Sequence, residues 1–359
     1  MKVVVKSTYV QDDGWGKAAR DYLKAFTLTG HNIEVQPIVL SKNVLKSLPD
    51  WIPPTAQANN PDVYFQQCLP QYFERFPSVR KHIGSCFTET RHLEQTGWID
   101  HVNEMDVIVV ATEQEAANLL ESGAKPPIFV IPMPMDFSSL DYDGELTGLA
   151  SSINRRYAFY FIGELVDRKN IADLLLAYWR EFSYEDDVVL VIKTSAPPEA
   201  LQQIQQWLHG LKNTVRLYDY PHHYPEVFFL LDRFTDEEMV RLHNTCDCFI
   251  TLSYGESTCR PLIDAAYKGK PVICTGGIGA VDSALAISKV QSYEVPCFTS
   301  FPPLANIYTS WETWMKPDIM HAQKLMRDAY NNKLPSSSTV NIKGKFSYES
   351  VASRLNDIL

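Results

Sequence analysis

Short apolar runs rich in valine, isoleucine and phenylalanine recur along the chain, separated by polar stretches with helical spacing. In the first third, residues 3–5, 33–39, 63–66, 80–87, 105–111 and 128–131 predict strands. Their apolar character on both faces suits strands buried in a parallel sheet. Between them, Ala18, Ala19, Tyr22, Leu23 and Phe26 share one helical face, with Gly30 as a stop, and residues 113–123 read as a second helix. A second series opens at residue 157. It predicts strands at 157–163, 188–194, 228–231, 248–252 and 271–274, and a short one reaching Leu217. Helices are expected at 171–182, 199–210 and 236–245, and another starts at Pro261. Trp207, spaced helically from Ile204 and Leu211, is expected in the core. Residues 348–359 read as a last helix, with Val351, Leu355 and Leu359 on one side.

The alternation of strand and helix thus appears twice. Residues 1–140 form an expected N-terminal Rossmann-like domain and 157–340 a C-terminal one. The acidic stretch 141–156 reads as a linker, and 341–359 as a C-terminal helix packing back on the first domain. The fold class is α/β, with two Rossmann-like domains facing across a cleft, a usual place for a ligand.

At 359 residues the chain is comfortable for two domains. Its formal net charge of −10 weighs against a dedicated nucleic-acid or anionic-membrane surface. The first residues break to polar at once, unlike a signal peptide, and no apolar run approaches the ~20 residues of a membrane span. Seven cysteines are scattered, several in predicted strands, which fits reduced core thiols and a cytoplasmic location.

The chemistry concentrates at 247–275, a strand, loop, helix and strand. The loop carries Glu256. Pro261 suits a helix start, Asp264 lies one turn in, and Gly269 can end the helix. A helix start offers free N–H groups and positive potential to a phosphate. Flanking carboxylates accept hydrogen bonds from hydroxyls. Phosphate between two hydroxyl acceptors suits a nucleotide sugar, although an ordinary βαβ unit with decorative acids has the same pattern. The loop with Gly14 and Gly16 follows the first strand, where open α/β sheets bind ligands, but lacks the third glycine of the dinucleotide fingerprint.

Two segments together resemble the family-4 retaining glycosyltransferases, the glycosyl transferases group 1, whose fold is GT-B. One runs from Tyr160 through Arg168, Lys169 and Asn170 into the helix at Leu174. The other runs from Ser253 through Glu256, Pro261, Asp264, Gly269 and Pro271 to Val272. The resemblance implies a metal-independent hexosyl- or pentosyltransferase with a nucleotide-sugar donor and no cofactor. Lys169 matches the phosphate lysine, Glu256 the acid that contacts the donor sugar, and Asp264 the ribose-binding acid. Arg168 is a further candidate catalytic cation. Ser257, Thr258 and Cys259 would hold diphosphate or sugar by their backbone, Leu231 would lie by the base, and Gly14 and Gly16 would complete the donor side. Glu89 and His92 are candidates for the acceptor or sugar side. The chain departs from the family pattern at Asp264 (glutamate in the family), at Glu164 (arginine in the family) and in the bulkier loop 257–260.

No metal site is expected. His222 and His223 lack flanking ligands, and Asp141 and Asp143 lie in the acidic linker. Two alternatives remain open: a non-hydrolysing sugar-nucleotide epimerase and a catalytically silent nucleotide-sugar-binding protein. The acceptor class stays open between glycan, lipid and small molecule, with modified nucleic acid disfavoured by charge. The oligomeric state is left undetermined.

Overall fold

β-branched residues crowd the strand centres because their stiff side chains pack well on a sheet buried on both faces. Val3, Val4 and Val5 make the middle of β1 (Lys2–Ser7) in this way. The computed structural model describes residues 1–56, 60–282, 286–298 and 308–359. These divide into unit 1, residues 1–137, 296–313 and 343–359, and unit 2, residues 138–295 and 314–342.

In unit 1, β1 is followed by α1 (Gly14–Thr27), β2 (Asn32–Pro37), β3 (Val63–Gln67), β4 (Lys81–Ser85), α2 (Trp98–Asn103), β5 (Val107–Val110), α3 (Glu113–Glu121) and β6 (Ile128–Val130). The strands are parallel, in the order β2-β1-β3-β4-β5-β6. On one face, Val3, Val5, Phe65, Ile83 and Val109 pack against Ala19, Tyr22, Leu23 and Phe26 of α1. On the other, Cys68, Ile108 and Val110 meet Ile99 and Val102 of α2 and Leu119 of α3. The winding reverses between β1 and β3, which makes that gap the switch point of the sheet.

Unit 2 begins with α4 (Thr147–Ile153), β7 (Tyr157–Ile162), α5 (Ile171–Glu181), β8 (Val188–Lys193), α6 (Ala200–Val215) and β9 (Val227–Leu230). It continues with α7 (Asp236–Thr245), β10 (Cys248–Thr251), α8 (Arg260–Tyr267), β11 (Val272–Thr275) and β12 (Ser288–Val290). The six strands run parallel in the order β12-β11-β10-β7-β8-β9, so the switch point lies between β7 and β10. β13 (Ser292–Pro296) and β14 (Thr313–Pro317) make a small two-stranded sheet. The chain ends in α9 (Ile319–Tyr330), α10 (Thr339–Phe346) and α11 (Tyr348–Asn356). Among the described residues no helix is long and apolar enough to cross a membrane.

Four details differ from the sequence expectation. No strand reaches Leu217, because α6 runs on to Val215. Leu208, Leu211 and Val215 repeat at helical spacing against the core, which extends the helix. Trp207 lies at the edge of that stripe and is 40% exposed, so it is not a core residue. The stretch expected as a bare linker contains α4, with Leu149 and Ile153 buried, and belongs to unit 2. The described residues 296–298 and 308–313, expected in the C-terminal domain, belong to unit 1, where Arg91 bridges Thr313.

α11 packs on unit 1. Val351, Leu355 and Ile358 are buried in the same core as α1. The Tyr348 hydroxyl donates to Asp21 Oδ1 at 2.7 Å, and Lys81 Nζ donates to the Ile358 carbonyl at 2.5 Å. Leu355 is fully buried, so Leu355→Ala should destabilise the chain by about 2–5 kcal/mol. A urea midpoint unchanged from wild type would show that α11 is not part of this core.

Candidate functional site at the switch point of the second sheet

Two loops meet where β7 and β10 end. The first leaves β7 at Gly163, makes a turn at Asp167–Lys169 and enters α5 through Asn170. Asn170 is left-handed, with φ 52°, a conformation asparagine tolerates better than most residues. Its amide donates to the Leu252 carbonyl at 3.0 Å and to Asp173 Oδ2 at 3.2 Å. The second loop leaves β10 and runs through Glu256 to α8. The two are cross-stitched: Tyr254 N–H donates to the Arg168 carbonyl at 2.8 Å, and the Arg168 guanidinium donates to the Gly255 carbonyl at 2.6 Å. Tyr254 also stacks on Trp314, with ring centroids 5.8 Å apart.

This stitching brings three charges together. Lys169 Nζ lies 2.5 Å from Glu256 Oε1, and Arg168 Nη1 lies 3.1 Å from Glu256 Oε2. The acid is the most deeply placed of the three, at 6% exposure, while the cation side chains keep 16% and 14%. Burial alone pushes the Glu256 carboxyl up. The charges of Lys169 and Arg168, with hydrogen bonds from Lys169 and Ser253, outweigh it and hold the group at about 2. Two cations and one anion leave the cluster one positive charge in excess.

Beyond Glu256 the chain passes buried Ser257 and Thr258 to Cys259, the residue before α8, at φ 52°. Arg260 is the first helical residue and Pro261 the second, where a missing N–H is harmless. Gly269, at φ 70°, follows the helix end and closes it with an N–H bond to the Ala266 carbonyl. Ser257 Oγ is buried and finds no hydrogen-bond partner among the described residues. The Cys259 thiol is pushed up to about 12, first by burial and then by Glu256, so it stays protonated and is a poor nucleophile at neutral pH. Asp264 is buried inside α8, and its charge is one of those that, after burial itself, push the Tyr160 hydroxyl up.

The structure therefore gathers Arg168, Lys169 and Glu256 directly, with Ser257, Thr258, Cys259 and Asp264 following on the same loop and helix. Leu231 sits outside that cluster, beyond β9, where its carbonyl accepts from Ala196 N–H at 3.2 Å. Beside it, buried Lys193 donates to the carbonyls of Thr194 and Asp232. Gly14 and Gly16 begin α1 in unit 1. A Cβ on Gly16 would come within 2.0 Å of the Gln11 carbonyl oxygen, so packing by itself demands glycine there. Glu89 and His92 are also in unit 1. Glu89 accepts from the Tyr308 hydroxyl, and neighbouring Thr90 donates to Glu312 at 2.7 Å. His92 is left-handed, half exposed and 4.0 Å from Glu94. Sequence reasoning passed over Tyr254 and Trp314, whose stacking joins residues far apart in the chain. Asn170 carries a sequence signal of its own, since asparagine adopts the left-handed region more readily than most residues.

The folded Glu256 carboxyl titrates near 2 against an ordinary 4.5, so it stabilises the fold above 4.5. That contribution is lost as pH falls towards 2, because the unfolded chain takes up the proton first. The loss is on the order of 3 kcal/mol. Glu256→Gln removes this segment of the pH dependence. The stability gap between wild type and variant should shrink from pH 4.5 to 2 in denaturant titrations, and a constant gap would contradict the paired, ionised carboxylate.

Residues 151–286 match the model of a family described as glycosyl transferases group 1. Comparison with curated proteins by sequence gives no significant match. Among solved structures, the chain is similar to HepE from Anabaena, in complex with UDP and glucose: TM-score 0.67, 13% identity, covering 100% of this chain and 99% of that one. It is similar in the same degree to a sucrose-phosphate synthase from Thermosynechococcus elongatus, with TM-score 0.67, 14% identity and coverage of 100% and 98%. OtsA, a trehalose-6-phosphate synthase, gives TM-score 0.60, 11% identity and coverage of 100% and 96%. At these identities the likeness establishes the fold, which is GT-B with two Rossmann-like domains.

Proposed function

We propose that this chain, whose residues 151–286 match the glycosyl transferases group 1 model and whose fold is GT-B, is a retaining glycosyltransferase using a nucleotide-sugar donor. The observation that carries the reading is the Arg168–Lys169–Glu256 cluster at the switch point of the second sheet, beside the start of α8. As the glycosidic bond breaks, negative charge develops on the leaving diphosphate. Fixed cations aimed at it lower the barrier. Lys169 and Arg168 supply that charge, and the positive end of the α8 dipole adds to it.

Glu256 has two duties in this account. Without donor it holds both cations in place and keeps the buried charge compensated. An arriving diphosphate competes for those cations, and the carboxylate becomes free to accept hydrogen bonds from sugar hydroxyls. Asp264, one turn into α8, takes the ribose hydroxyls. No protein nucleophile is assigned: the leaving phosphate takes the acceptor proton on the same face of the sugar. The UDP complex of HepE makes UDP-sugars the first donors to test, with the acceptor a glycan, lipid or small molecule.

Incubation with a panel of nucleotide sugars, with and without acceptors, should release nucleotide. Lys169→Ala should lower that release by about 100- to 1,000-fold, as for loss of one charge-stabilising donor. Release within twofold of wild type would remove Lys169 from the reaction. Binding without any release would make the chain a nucleotide-sugar-binding protein, and sugar conversion without release would make it an epimerase.

A further inference from the structure

Ser7, Gln67 and Ser85 stand in register at the carboxyl ends of β1, β3 and β4. Adjacent strands are about 4.8 Å apart, so these side chains form one row. They lie two residues beyond Val5, Phe65 and Ile83, and so share the face packed by α1. Gln67 is 2% exposed and the two serines are fully buried. Neither amide atom of Gln67 and neither serine hydroxyl has a hydrogen-bond partner among the described residues. Thr88 Oγ1, three residues past Ser85, is in the same condition.

Buried polar groups are ordinarily satisfied, and the next row back obeys that rule. Lys6 Nζ donates to the Tyr72 carbonyl and to Glu74, while the Gln66 amide bonds both backbone groups of Glu74. The unmet row spans β1 and β3, the switch point of the first sheet, where open α/β sheets take their ligands. Its groups are neutral and mix donors with acceptors, which matches hydroxyls better than phosphate or carboxylate.

We infer that Gln67, flanked by Ser7 and Ser85, binds the hydroxyls of a neutral sugar or polyol. That this ligand is the acceptor rests on the glycosyl-transfer reading, while the binding itself does not. The test is a ligand-observed NMR titration of the full chain with neutral mono- and disaccharides, and with their 6-phosphate and uronate counterparts. A UDP titration runs on the same samples. Wild type should bind neutral sugars in preference to charged ones. Gln67→Met should bind them about tenfold more weakly, with unchanged UDP affinity and a melting temperature no lower than wild type. If Gln67→Met does not fold, Ser85→Ala should weaken the same sugars about threefold. Equal binding by the folded variant, absence of neutral-sugar binding, or preference for charged sugars overturns the inference. Failure of UDP to bind wild type, with the Gln67 effect intact, overturns the donor reading alone.

Discussion

The second unit depends on keeping an ionised carboxylate away from water. Glu256 can be buried only because Lys169 and Arg168 stand against its two oxygens. A buried ion group of this kind is seldom an efficient source of stability, since desolvation offsets most of the attraction. Its structural effect is to fix geometry. The cations come from the loop after β7 and the acid from the loop after β10, and two hydrogen bonds, Tyr254 N–H to the Arg168 carbonyl and the Arg168 guanidinium to the Gly255 carbonyl, lock the two together. The residual positive charge then sits beside the start of α8, which itself attracts anions.

The two sheets reach their switch points with opposite chemistry. The second presents charge, stitched and compensated. The first presents a neutral row of amide and hydroxyl groups around Gln67, without charged members. A diphosphate and a polyhydroxylated molecule differ in just this respect. The contrast follows from which residues end the strands, not from the fold, since both sheets are parallel and six-stranded.

Much of this was legible in the sequence because it is local. Buried parallel strands show as apolar runs, and α7 showed through its helical spacing between two strands. Glu256, Lys169 and Arg168 were picked out through their loops and the family resemblance. Their direct pairing was not, because it joins positions 87 and more residues apart. Gln67 was missed for a related reason: a polar residue ending a strand looks ordinary until its neighbours prove to leave it unsatisfied. Trp207 misled because helical spacing defines a stripe but not its edge. The placement of residues 308–313 in unit 1 carried no local mark, since it arises from bonds such as Arg91 to Thr313 and Thr90 to Glu312.

The most direct test of the central claim is a crystal structure with UDP bound. The account predicts phosphate oxygens within hydrogen-bond reach of Lys169 Nζ and the Arg168 guanidinium, the diphosphate at the start of α8, and Glu256 separated from at least one of its cations. A diphosphate bound elsewhere, with the Lys169–Glu256 pair intact, would contradict it.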